Sequence, residues 1–130
     1  MNQKMLRVYI IAVSFLAISL PAFAHHGISG YDMAKTITLH GTVTKFDFIN
    51  PHSVIYVDVK TDSGEVQNWA LELTPPALLV RAGWSKTSLK AGDEVTIETH
   101  ASKNGAPVGV TGTATFILKV VVNGQALPTR

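Results

Sequence analysis

The chain has no cysteine among its 130 residues. This excludes disulfides, a cysteine nucleophile and a lipid-modified cysteine after an export leader. Any metal site must therefore be built from histidine, carboxylate or the α-amine. Catalytic signatures are missing too. There is no G-x-S-x-G elbow, no H-E-x-x-H pair, no phosphate-cradling glycine loop and no nucleotide fingerprint. Asp93 and Glu94 are adjacent, so on a strand they point to opposite faces and do not make an acid–base pair. No enzymatic activity is expected. Internal repeats, low-complexity tracts, heptads and a second long apolar run are also absent.

Acidic residues are missing from one particular place, since none precedes Asp32. That first stretch has the layout of a cleavable export signal. Lys4 and Arg7 form a basic start, Val8 to Leu20 an apolar stretch, and Pro21 breaks it before Ala22-Phe23-Ala24. The last three match the small-x-small pattern read by signal peptidase. The apolar run falls short of the about 20 residues that span a bilayer. Residues 1–24 are thus expected to be a signal peptide cleaved after Ala24, giving a periplasmic protein with no stable membrane anchor. An uncleaved N-terminal anchor is the competing reading.

Cleavage would change the charge balance. The chain carries 11 Lys and Arg against 9 Asp and Glu, and Lys4 and Arg7 leave with the leader. Nine basic and nine acidic residues remain, so the mature chain is neutral with histidine uncharged. It lacks the basic footprint of a nucleic-acid binder, and no nucleic-acid partner is expected. His25 to Arg130 is one domain by length, large enough for a core without staples.

Within it, residues 25–35 read as an extended N-terminal segment and 36–130 as a β-barrel domain. Residues 36–48 predict a bent strand, because Ile37, Leu39, Gly41 and Val43 are odd-numbered while Phe46 and Phe48 are even. A phase change near Thr44-Lys45 calls for a bulge. Asn50-Pro51 turns the chain. Strands follow over 53–60 and 65–73, joined by Asp62-Ser63-Gly64. Thr74-Pro75-Pro76 reads as a helix start with Thr74 as cap, and Gly83 as its end. A fourth strand is expected over 94–100, a flexible loop over Ser102–Gly109, and a fifth strand over about 112–122. Asn123-Gly124 is a two-residue turn signal. Three strands, a short helix and two strands is the order of a small five-stranded OB-like barrel, all-β with one short helix between strands 3 and 4. Another small barrel or sandwich is the alternative.

Several stretches also carry a resemblance. They are His25-His26, Lys35-Thr36-Ile37-Thr38-Leu39-x-Gly41-Thr42-Val43, Asn50-Pro51-His52, Trp69-Ala70-x-Glu72, Leu79-x-Arg81-x-Gly83-Trp84 and Leu89-Lys90-x-Gly92-Asp93-x-Val95. Together they resemble a family of small exported bacterial proteins classed as a domain of unknown function. Its members typically begin His-His-Ser-Phe after the leader, where this chain has Gly27-Ile28 in place of Ser-Phe. The resemblance implies export and supplies no activity.

The candidate chemistry lies in the histidines. Cleavage after Ala24 makes His25 the first residue, able to chelate through its α-amine and ring together. His26 adds a second imidazole and a deprotonatable amide. Such nitrogen-rich tetragonal sets suit Cu(II) best, then Ni(II) and Zn(II). The plainer reading of His25-His26 is a solvated chain end. His52 follows Asn50-Pro51 in the first loop, where barrels of this class bind ligands. It is either a ligand or a loop histidine bonded to the turn backbone. The expected metal set is His25, His26 and His52, with copper the favoured ion. Glu72 and His100 fall at the same barrel end and are candidates to join it, although surface exposure is the simpler expectation for His100. His40 reads as a surface or barrel-lining residue, and Trp69 and Trp84 as core. The non-metal alternative is a small-ligand barrel or one that docks a periplasmic protein partner.

Overall fold

In the computed structural model, residues 27–129 are described; the expected leader 1–24, its expected cleavage point, and His25 and His26 lie outside the described residues. β1 (Ile37–Asp47) is the longest strand and it bends where its apolar phase changes. The register slips between Val43 and Lys45, leaving Thr44 as the extra residue of a bulge. Beyond the bulge Phe46 packs inward, as Leu39 and Val43 do before it. The bend lets one strand serve two neighbours. Residues Ile37–Thr42 pair with β4 (Glu94–Ala101), while Gly41–Asp47 pair with β2 (Val54–Lys60). Gly41 belongs to both ladders, and a Cβ there would overlap the Asp58 carbonyl oxygen.

β2 pairs antiparallel with β3 (Val66–Glu72), which pairs parallel with β5 (Val108–Val110), and β5 pairs antiparallel with the end of β4. With the β4–β1 ladder this closes a five-stranded barrel in the order β1-β2-β3-β5-β4. α1 (Pro76–Arg81) lies between β3 and β4, as the element order requires. β6 (Val120–Val122) and β7 (Gln125–Ala126) form a hairpin on the outer edge of β4. The fold is the expected all-β, OB-like barrel. Among the described residues no helix is long and apolar enough to cross a membrane.

Two local expectations are corrected. The fifth barrel strand is Val108–Val110, beginning within the Ser102–Gly109 stretch that reads as a loop, and not 112–122. Thr111–Lys119 leaves the ladder, with the Thr111 and Gly112 N–H groups both donating to the Glu72 carbonyl. The chain then folds on itself (Thr113 to Phe116, Leu118 to Thr111) before rejoining β4 as β6. Gly112, tight against Leu73 and the Thr74 backbone, marks the departure. Thr74 does not cap α1 either. The N-cap is Pro75, whose carbonyl accepts from Leu78 and Leu79. At the other end Trp84 N–H reaches back to Leu79 and Gly83 N–H to Val80, with Gly83 at φ 96°, a Schellman closure.

The core runs through the barrel. Ile55, Val57, Leu71, Leu73, Ile97 and Val120 are fully buried, and Leu79 joins them from α1. Each such side chain contributes about 1.5–3 kcal/mol. Trp84 is buried and its indole donates to the Pro128 carbonyl at 2.6 Å, while Trp69 packs half-buried against the core.

Candidate functional site

The ladder of β2 and β3 brings two candidate side chains together. Val54 opens β2 opposite Glu72, the last residue of β3. The loop before Val54 is pinned by Leu73 N–H donating to Ser53 and Ser53 N–H to Thr74, so His52 arrives beside Glu72. Its Nδ1 is hydrogen-bonded to the Glu72 carboxylate. The backbone of Glu72 is itself held by Thr111 and Gly112. Both side chains remain open to solvent, His52 at 51% and Glu72 at 34%. His52 is therefore bonded to a carboxylate rather than to the turn backbone.

The N-terminal segment forms the opposite wall. A 3₁₀ turn at Ile28–Gly30 is followed by a bridge of Tyr31 to Ser102, and Asp32 N–H donates to Ala101. Lys103 clasps the segment through its backbone N–H to Gly30 and its Nζ to the Ser29 carbonyl. Gly27, Ile28 and Tyr31 thus line a cleft of about 510 Å³ together with Pro51, His52, Glu72, Leu78 and Val110. Burial, and then the negative charge of Glu72, hold the Tyr31 phenol protonated above its ordinary range. Nothing in the sequence singles out Tyr31, because a lone tyrosine in a segment without periodicity carries no spacing signal. Its significance comes from the Ser102 bridge, a contact across the fold.

His100 does not join His52 and Glu72. It is 9% exposed, contrary to the expected surface position, because β4 continues to Ala101 and carries it inside the pairing with Val110. Its Nδ1 bonds the Lys35 carbonyl at 3.0 Å and its ring meets Phe116 edge-on at 5.8 Å. His40 is exposed on β1 and contacts Thr96 Oγ1 at 3.0 Å. Among the described residues no three His, Asp or Glu side chains converge as a metal cluster. His25 and His26 lie outside the described residues, immediately before Gly27 on the cleft wall.

The chain matches a family of unknown function, DUF6152, over residues 13–112, and it belongs to that family. The match takes in all five barrel strands and every residue of the His52–Glu72 pair, and it stops before the β6–β7 hairpin. No curated protein and no solved structure matches the chain.

Proposed function

We propose that this protein is an exported, non-enzymatic binding module that holds one Cu(II) ion at the mouth of the cleft through His25, His26 and His52. One observation carries the reading. Gly27, the residue after His26, lines the same cleft as His52. Two residues span at most about 7 Å, so in a chain beginning at His25 the α-amine and both imidazoles would have that rim within reach. The pairing of His52 with Glu72 supports it. Metal-bound histidines typically donate their other ring N–H to a carboxylate, which fixes the tautomer and raises ligand basicity. With Nδ1 engaged by Glu72, Nε2 is the free ligand atom. An amine, an amide and imidazoles make the nitrogen-rich set that Cu(II) prefers.

Docking of a protein partner along a strand edge is the rival reading. It is weakened by β7, the outermost strand beyond β4, which offers two residues. Calorimetric copper titration of protein beginning at His25, beside a form with one extra N-terminal residue, tests the proposal. The processed form is expected to bind one equivalent and the extended form far more weakly, with affinity falling at low pH as amine and imidazoles protonate. Equal binding by the two forms, or none by either, would refute it.

A further inference from the structure

The cleft extends well beyond the rim where His52 sits, and its electrostatics are one-sided. At about 510 Å³ it falls within the range of small-molecule sites. Ile28, Leu78 and Val110 contribute apolar wall, and Tyr31 an aromatic ring. Glu72 supplies the one carboxylate, and no Lys or Arg lines the cleft among the described residues. Arg81 lines an adjoining hollow that shares Thr74, Leu78, Thr113 and Ala114 with it. Tyr31 and Glu72 line this same cleft, where burial first and the Glu72 charge second raise the Tyr31 phenol above its ordinary range.

The geometry points to a second ligand class: the cleft binds small primary ammonium compounds with an apolar body, the ammonium on Glu72 and the phenol oxygen of Tyr31, the body against Ile28, Leu78 and Val110. A carboxylate in a partly desolvated wall forms charge-assisted hydrogen bonds with an ammonium, and the Tyr31 ring adds a face for cation–π contact. An anion of the same shape meets the Glu72 charge, which is offset within the cleft only by its hydrogen bond with His52. The inference stands on the cleft and its charge, and needs neither His25 nor a metal.

The experiment is a two-dimensional amide NMR titration of the processed protein in excess EDTA, so that metal binding does not enter. The probes are 2-phenylethylamine, its charge-reversed analogue 3-phenylpropionate, and neutral ethylbenzene. The amine should give saturable shifts centred on Leu73, Val110 and Gly112, with the other two at least about tenfold weaker. Glu72→Gln, its spectrum otherwise preserved, should lose the preference for the amine, and Tyr31→Phe should weaken amine binding less. No saturation by 2-phenylethylamine would overturn the inference. So would 3-phenylpropionate or ethylbenzene binding as well as the amine, or an unchanged preference in Glu72→Gln.

Discussion

At the scale of single residues, Glu72 is the side chain that links the fold to the chemistry. Its backbone ends β3 and receives two N–H groups from the start of the Thr111–Lys119 excursion, so its position is fixed by three segments. Its carboxylate then orders His52 and biases Tyr31. His52 and Glu72 were legible in the sequence because each falls at a predicted strand end, where register alone decides who meets whom. His100 obeys the same rule and escapes the site, since one more residue of β4 turns a strand end into a strand interior. Glu72→Gln keeps the shape and removes the charge. We expect it to lower copper affinity about tenfold or more while leaving one equivalent bound. Unchanged affinity by competition with a chelator would show that Glu72 does not support the copper site.

Among the elements, the turns carry most of what the sequence announces. The bulge in β1 and the Gly83 helix end follow from phase and from positive φ, and both are where the pattern places them. The split fifth strand was not legible, because Thr111–Leu118 has strand composition while the interactions that pull it out of the ladder come from Glu72 and Leu73, far away in sequence. The β6–β7 turn is tied to the start of β4. Asn123 (φ 48°) and Gly124 (φ 84°) take the left-handed pair of a type I′ hairpin. Asn123 Oδ1 accepts from Glu94 N–H at 3.0 Å, and its Nδ2 donates to Asp93 at 3.0 Å. The Lys90 N–H and the Asn123 amide together hold the Asp93 carboxyl below its ordinary 3.8. A depressed folded value means that this stabilisation is fully present above the unfolded value and lost as pH falls through the folded one. The stability gap between wild type and Asp93→Asn should therefore be wide near neutral pH and narrow in acid well below 3.8. Urea midpoints at both pH values measure it, and a gap independent of pH would contradict the clasp.

For the whole molecule, the barrel is the part most firmly written in the chain. Alternating β-branched runs, a bend in the first strand and a helix after the third are enough to specify a closed OB-like sheet. The ligand is less legible, because the cleft is assembled from four stretches distant in sequence, around residues 27–31, 51–52, 72–78 and 110–114. Cu(II) binding at the rim of this cleft is the central proposal. The most direct test is paramagnetic broadening of amide NMR signals by substoichiometric Cu(II) added to protein beginning at His25. Gly27, His52, Ser53 and Glu72 should lose intensity first, with Gly64 and Gly124 unaffected. Broadening centred on His40, or spread evenly over the barrel, would contradict it.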